Sequence, residues 1–219
     1  SLRASLDTNV LIHLYRAGKQ KLLFDFFNEG VFIYEQIRNI ELEHHGKDVL
    51  EVIDQDITTG KIGLFSDDKL IELGVYKMFQ NNVKDNKLLY NPGDLGEVYA
   101  ISLAETLGAY SLITDDIKQG GPYMSLLQFD DEIMPFTFAD VIILLYLSGR
   151  LDAGQSVITF DSVNQCSNLN WVFKAHLKKF IRRFWTEPYQ ESEKKWLADY
   201  CDTYHNDFWE KIKELRRFL

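Results

Sequence analysis

Short hydrophobic runs alternate with longer segments of helical periodicity through roughly the first 150 residues of the chain. The short runs predict β-strands, and segments with hydrophobic residues three and four positions apart predict amphipathic helices. The predicted strands are Leu2–Leu6, Val31–Tyr34, Lys61–Phe65 and Tyr110–Thr114. The predicted helices are Val10–Phe27, Gln36–Glu43, Val49–Ile57, Asp67–Phe79, Asp94–Leu107 and Phe138–Leu147. This alternation is typical of an α/β fold, in which helices cover both faces of a mostly parallel sheet.

Glycine, proline and polar residues mark the ends of several elements. Asn81–Gly93 is polar and contains a Pro-Gly pair, which predicts that most of it is loop. Gly108 is expected to end the helix before it, because helices commonly finish at a glycine in the left-handed conformation. Thr137 and Asp140 predict a capping box for the following helix. Gly120–Pro135 is expected to form an extended loop.

The C-terminal part of the chain has a different pattern. Trp171–Trp185 and Ser192–Leu219 both predict helices, and Pro188 separates them. We therefore expect a globular domain formed by residues 1–165, followed by a C-terminal helical extension formed by residues 166–219.

Charge is unevenly distributed between these parts. The 24 basic and 33 acidic residues give a net charge of −9. Residues 1–170 contain 13 basic and 25 acidic residues, a net charge of −12, whereas residues 171–219 contain 11 and 8, a net charge of +3. This balance is not typical of a general nucleic-acid-binding protein, but an acidic body can hold metal ions.

Composition also indicates the compartment. The two cysteines, Cys166 and Cys201, are too few for a disulfide framework and indicate a reducing environment. The most apolar stretch, Val141–Leu147, is far shorter than the ~20 residues that a membrane span requires. The first apolar run contains Arg3 and Asp7, which is not typical of a signal peptide. We therefore expect a cytoplasmic protein with no membrane partner.

Carboxylates occur where predicted strands end and predicted helices begin. Asp7 follows the first strand, and Asp115 and Asp116 follow the strand Tyr110–Thr114. Glu41 and Glu97 lie in the first turns of two predicted helices. Because parallel strands end, and their connecting helices begin, at the same edge of a sheet, we expect these acids to converge there.

A cluster of this kind predicts a metal site. Several carboxylates within a few ångströms repel each other, and a bound Mg²⁺ or Mn²⁺ removes that penalty. Each acid also has a simpler explanation: Asp7 as a helix N-cap, Asp94 and Glu97 as a capping box, Asp115-Asp116 as a turn, and Glu41 as a solvated side chain. The metal site is favoured because all of these acids occur together at element boundaries.

Four motifs in this order resemble the PIN domain family of metal-dependent ribonucleases. The first is Leu6-Asp7-Thr8-Asn9-Val10-Leu11-Ile12, and the second is the pair Glu41-Leu42 on an early helix. The third, Gly96-Glu97-Val98-Tyr99-Ala100-Ile101-Ser102-Leu103-Ala104, is similar to a Gly-Glu variant found in prokaryotic, VapC-like members. The fourth is Leu112-Ile113-Thr114-Asp115-Asp116. The resemblance covers residues 2 to about 150.

The resemblance implies a Rossmann-like three-layer fold and hydrolysis of RNA phosphodiester bonds by metal-activated water. The implied catalytic ligands of one or two Mg²⁺ or Mn²⁺ ions are Asp7, Glu41, Glu97 and Asp116. Asp115 is an additional or alternative ligand. Hydrogen bonds that orient the carboxylates and a water are expected from Thr8, Asn9 and Thr114.

Basic residues in the predicted helix Trp171–Trp185 suggest contact with RNA phosphates. They are Lys174, Lys178, Lys179, Arg182 and Arg183. A solvated helix face, or a surface that pairs with the acidic body, is the alternative explanation.

Two functions of different classes are consistent with these features. The first is a metal-dependent endoribonuclease, acting as the toxin of a toxin–antitoxin pair, with RNA, an antitoxin protein and a second copy in a homodimer as partners. The second is a catalytically inactive PIN-like module that binds or scaffolds other molecules. A phosphotransfer enzyme of the haloacid dehalogenase type is disfavoured, because it requires Asp-x-Asp after the first strand and this chain has Asp7-Thr8-Asn9.

Overall fold

A computed structural model of the protein describes residues 2–129 and 132–219. Within these residues, five strands form one all-parallel sheet with the order β3-β2-β1-β4-β5. The strands are β1 (Ala4–Leu6), β2 (Val31–Tyr34), β3 (Ile62–Phe65), β4 (Ser111–Ile113) and β5 (Met134–Phe136). Helices flank the sheet, which confirms the predicted three-layer, Rossmann-like α/β fold.

The fifth strand lies in a segment for which the sequence predicted only loop. Within Gly120–Pro135 the structure has a helix, α8, and the first residues of β5, while residues 130 and 131 of this segment lie outside the described part of the chain. The strand is only three residues long and contains Pro135, which cannot donate a hydrogen bond to a neighbouring strand. Strand β5 lies at the edge of the sheet, where a proline is tolerated. The residue pattern of this segment does not indicate a strand.

Glycines in the left-handed conformation divide two of the predicted helices. The helices up to residue 137 are α1 (Thr8–Arg16), α2 (Lys21–Phe26), α3 (Leu42–His45), α4 (Leu50–Thr58), α5 (Asp67–Glu72), α6 (Tyr76–Asn86), α7 (Leu95–Leu107) and α8 (Pro122–Gln128). Gly18 (φ 63°) separates α1 from α2, and Gly74 (φ 70°) separates α5 from α6. Most of Asn81–Gly93 is loop, as predicted, but α6 continues to Asn86, beyond the helix end predicted at Phe79.

Two elements beside the sheet bear directly on the acidic residues. Ile37–Glu41 forms a π-helical turn that leads into α3, instead of the regular helix predicted for Gln36–Glu43. Helix α7 is largely buried and ends at Gly108, which has the predicted left-handed conformation (φ 62°). Since α7 precedes β4 in the chain, its first turn lies at the end of the sheet where the strands finish.

Contacts between residues group the chain into two compact units, Ser1–Thr137 and Phe138–Leu219. The second unit consists of α9 (Phe138–Leu147), α10 (Ala153–Cys166), α11 (Phe173–Ile181), a π-helical turn (Arg182–Thr186), α12 (Glu191–Thr203) and α13 (Phe208–Arg216). The boundary predicted between residues 165 and 166 falls at the end of α10, and as a division into folding domains it stays a prediction.

Helix α10 was not predicted, although the sequence carries a signal for its start. The Asp152 side chain accepts a hydrogen bond from the Gln155 N–H, and the Gln155 side chain accepts one from the Asp152 N–H. This is the capping box, whose Asp-x-x-Gln pattern can be read from sequence. The predicted helix Ser192–Leu219 is two helices, α12 and α13, with His205 in the left-handed conformation (φ 55°) between them.

A buried charge cluster lies inside the second unit. The Arg183 guanidinium donates to both carboxylate oxygens of Glu193, at 3.2 and 3.1 Å, and lies 3.6 Å from Asp140. All three side chains are buried. The prediction that Arg183 contacts RNA is therefore corrected, because its guanidinium is buried and pairs with acids of the same unit. The exposed members of the predicted basic group are Lys174, Lys178, Lys179 and Arg182.

No helix among residues 2–129 and 132–219 combines the length and the apolar character needed to cross a membrane.

Replacing Glu193 by glutamine should destabilise the protein strongly. The change removes the negative charge that Arg183 contacts most closely, and breaking a buried ion pair costs about 3 kcal/mol or more. Glu187→Gln is the matched control, because Glu187 pairs with Arg182 at 3.0 Å but both side chains are exposed. Such an exposed pair contributes at most about 1 kcal/mol. Urea unfolding of both variants measures the difference, and equal effects would contradict the importance of the buried pair.

Candidate metal centre

The adjacent parallel strands β1 and β4 bring the first and last acidic motifs together. Leu6 pairs with Ile113 in the sheet, and the Asp7 N–H donates to the Ile113 carbonyl at 2.9 Å. The residues that follow the two strands, Asp7 and Thr114, are therefore neighbours at the carboxyl edge of the sheet. This is the edge at which α/β proteins commonly bind ligands.

Asp7 is buried, with only 3% of its surface exposed. Its Oδ1 accepts a hydrogen bond from the Thr8 N–H at 2.7 Å, so that Asp7 is the N-cap of α1. Its Oδ2 accepts a hydrogen bond from the Thr114 hydroxyl at 2.9 Å. The helix-cap explanation is therefore correct for one carboxylate oxygen, while the other oxygen belongs to the cluster at the sheet edge.

Thr114 connects the carboxylates of the two strands. Its hydroxyl donates to Asp7 and also accepts a hydrogen bond from the Asp116 N–H at 3.2 Å. The predicted orienting role of Thr114 thus has a geometric basis. Thr8 contributes only its backbone N–H, and its hydroxyl is buried without a hydrogen-bond partner among the described residues. Asn9 is exposed, and no hydrogen bond found in residues 2–129 and 132–219 links its side chain to the acids.

Glu97 enters the cluster from the first turn of α7. It is 8% exposed, and its Oε2 has no hydrogen-bond partner in the part of the chain that the structure describes. The N-cap residue Asp94 makes no side-chain capping hydrogen bond, so the capping-box explanation for Glu97 is wrong. A buried carboxylate oxygen without a partner is costly, and such a group requires an explanation.

The electrostatics of the cluster disfavour negative charge. Burial raises the pKa of Asp7 to about 6, against the lowering effect of its hydrogen bonds, and the charges of Asp116 and Asp115 add to the rise. Burial also raises the pKa of Glu97 far above its ordinary value, and the charge of Asp7 and a hydrogen bond to Asp116 contribute. A cation bound among these acids would lower their pKa values, so that they would be ionised at neutral pH.

The consecutive residues Asp115 and Asp116 have different partners. Asp115 Oδ2 lies 2.6 Å from Nδ1 of His13 on α1. Asp116 accepts a hydrogen bond from the protonated Glu97 carboxyl, which helps to raise the pKa of Glu97, and it pairs with Lys118. This arrangement favours Asp116 as the acid of the fourth motif that joins Asp7 and Glu97. Neither His13 nor Lys118 was identified from the sequence, because their roles depend on contacts that no motif spacing indicates.

Glu41 lies at the end of the π-helical turn and contacts the start of α7. The Gln36 amide donates to Glu41 Oε1 at 3.1 Å. A side chain at position 96 would place its Cβ 3.3 Å from the Glu41 Cγ and Cδ atoms. Glycine at this position therefore lets the Glu41 side chain pack closely against the start of α7, whereas a Cβ there would require that side chain to shift slightly.

The donor set fits a hard divalent cation, although the ligands are not arranged around one. Among the described residues, no group of three or more His, Cys, Asp or Glu side chains has an arrangement that could hold a metal ion. The fit rests on the chemistry of the donors: oxygen ligands suit Mg²⁺ and Mn²⁺, and Glu97 Oε2 has no hydrogen-bond partner in the described part of the chain.

No protein-family model, no curated protein and no solved structure matches this chain. Membership of the PIN family therefore stays a prediction that rests on the four motifs.

The metal-free protein should lose stability as the pH rises from about 4 to 6. Folded Asp7 keeps its proton up to a pKa of about 6, whereas the unfolded group releases it near 3.8. In that interval the folded state binds more protons, so the free energy of unfolding decreases with pH. Glu97 acts in the same direction. Asp7→Asn removes the charge and retains a good N-cap residue, and should stabilise the protein at pH 8 by about 1–3 kcal/mol.

Urea unfolding in EDTA at pH 4.5 and pH 8 measures this effect. Asp25→Asn is the control, because Asp25 is an exposed carboxylate paired with Lys21. Asp7→Asn should stabilise the protein at pH 8 and have much less effect at pH 4.5. Destabilisation at pH 8 would contradict the view that Asp7 carries an unfavourable charge.

Proposed function

We propose that the protein is a metal-dependent endoribonuclease that uses Mg²⁺ or Mn²⁺. The observation that carries the proposal is Glu97 Oε2, a buried carboxylate oxygen without a hydrogen-bond partner among the described residues, in a side chain whose pKa is raised in part by the charges of Asp7 and Asp116. Three carboxylates gathered from distant segments, two of them buried and one partly buried, are unfavourable for folding alone. A cation bound during catalysis explains why the chain would nevertheless bring them together.

Asp7, Glu97 and Asp116 would hold the metal ion, and Glu41, which packs against Gly96 at the start of α7, is a further candidate ligand. When bound, Mg²⁺ or Mn²⁺ supplies water activation and neutralises negative charge on a phosphodiester. The chain's own contribution is orientation: the Thr8 N–H and the Thr114 hydroxyl hold both oxygens of Asp7 in place. Hydrolysis then consumes one water and yields a phosphate monoester and an alcohol.

The basic residues of the second unit support a nucleic-acid substrate. Lys174, Lys178 and Lys179 are exposed on α11, and Arg182 follows in the π-helical turn with an exposed partner, Glu187. Exposed lysines on one helix can contact successive phosphates without reading sequence. RNA as the polymer is implied by the resemblance to PIN ribonucleases, as are the toxin role, an antitoxin partner, a homodimer and a cytoplasmic location.

An inactive binding or scaffolding module is the second candidate. The described part of the chain contains no preformed group of three metal ligands, which favours this candidate. Lys118 also favours it, because its ammonium group already neutralises Asp116. Such a module would need no divalent ion, so the two candidates differ in a measurable property.

Purified protein should cleave single-stranded RNA in Mn²⁺ and lose this activity in EDTA. Asp7→Asn should reduce the cleavage rate at least about 100-fold, because losing even an indirect partner of a metal site commonly costs 10–100-fold. Gel analysis of end-labelled RNA measures the rate. Asp25→Asn should cleave like the wild type. Cleavage that persists in EDTA and in Asp7→Asn would refute the proposal, and absence of both cleavage and Mn²⁺ binding would favour the scaffold.

Replacing Lys174, Lys178 and Lys179 together by glutamine should weaken RNA binding and make it less dependent on salt concentration. Each phosphate contact on a single strand contributes about 0.7 to the slope of log K against log salt, so the slope should fall by about 2. Fluorescence anisotropy with labelled RNA in EDTA measures both quantities. The matched control replaces Lys77, Lys84 and Lys87, which are exposed on or next to α6. Equal changes in both triple variants would indicate a nonspecific charge effect.

A further inference from the structure

Lys118 contacts both oxygens of Asp116. Its Nζ lies 3.0 Å from Asp116 Oδ2, and its backbone N–H donates to Asp116 Oδ1 at 3.3 Å. The Lys118 side chain is 60% exposed, while that of Asp116 is 13% exposed. A solvent-exposed ammonium group therefore neutralises one carboxylate of the candidate metal centre.

The turn after β4 holds this pair together. The Gly121 N–H donates to the Lys118 carbonyl at 3.0 Å, which closes the turn. A Cβ at position 121 would lie 2.9 Å from Asp116 Oδ1 and 3.1 Å from the Lys118 carbonyl oxygen. A side chain at this position would require the Asp116 carboxylate and the turn to shift, so the backbone packs closely against the carboxylate that Lys118 neutralises.

The Lys118 ammonium also lies in the field of the other acids. Its pKa is raised by the hydrogen bond to Asp116 and by the charge of that residue, and the charges of Glu97 and Asp94 add to the rise. The ammonium is thus attracted to the same carboxylates that would hold a divalent ion.

We propose that Lys118 is an exchangeable internal counter-cation, which pairs with Asp116 in the metal-free protein and leaves it when a divalent ion binds. The released ammonium then binds a non-bridging oxygen of the phosphodiester, which makes Lys118 a residue that positions the substrate. This inference rests on the proposed function, because it requires Asp116 to be a metal ligand.

Physical considerations favour exchange. A divalent ion attracts a carboxylate more strongly than an ammonium does, and it can be shared by Asp7, Glu97 and Asp116. An exposed lysine pair contributes little to stability, and its flexible side chain is readily hydrated after release. Lys118 can therefore leave Asp116 at small cost and remain near the substrate.

Mn²⁺ binding measured by isothermal titration calorimetry tests the exchange. Lys118→Met removes the competing charge and should tighten Mn²⁺ binding about threefold to tenfold. Lys118→Arg keeps the charge and should bind Mn²⁺ like the wild type. Lys77→Met is the control for a general change in surface charge, because Lys77 is an exposed lysine on α6. For RNA cleavage, Lys118→Met should raise KM more than it lowers kcat.

Acetylation of lysines, followed by mass spectrometry, measures directly whether Lys118 is released from Asp116. Mn²⁺ should increase the acetylation rate of Lys118 and leave that of Lys77 unchanged. If the wild type binds Mn²⁺ but Lys118→Met binds it no more tightly, or if Lys77→Met tightens binding equally, the exchange is wrong while the proposed function stands. If neither the wild type nor Lys118→Met binds Mn²⁺, both proposals are overturned.

Discussion

The parallel pairing of β1 with β4 is the constraint on which the candidate site depends. It aligns Leu6 with Ile113, so that the residues after the two strands meet at one edge of the sheet. As a result, Thr114 donates a hydrogen bond to Asp7 across 107 positions of sequence. A shift of one residue in this register would move the Asp7 side chain to the opposite face and remove the contact. Helix α7 then adds Glu97 to the same edge.

The acids at this edge are stabilised in different ways, and the differences suggest different roles. Asp7 accepts two hydrogen bonds, Asp115 has an imidazole partner, and Asp116 has an ammonium partner. Glu97 is buried, and one of its oxygens has no hydrogen-bond partner within residues 2–129 and 132–219. Burial makes each uncompensated charge expensive, so this unsatisfied oxygen supports the proposed cation more than the number of acids does.

Local signals predicted much of the fold. Strand β2 has the predicted bounds, and Gly108 ends α7 as expected, because both depend on neighbouring residues. Strand β5 was missed, since three residues with a proline carry no strand pattern and gain their structure from pairing with β4. The basic helix shows the same limit: periodicity grouped Arg183 with exposed lysines, but its burial depends on Glu193, which lies on another helix.

The sequence by itself determined that the fold is α/β, that carboxylates follow its strands, and that Asp7 stands at a strand-to-helix boundary. Only the tertiary structure distinguishes the two consecutive acids, because folding brings His13 to Asp115 and Lys118 to Asp116. The same holds for Lys118 and His13, whose contacts have no signature in spacing. Patterns of hydrophobic residues specify elements, whereas the charge environment of a side chain depends on distances that exist only after the elements pack.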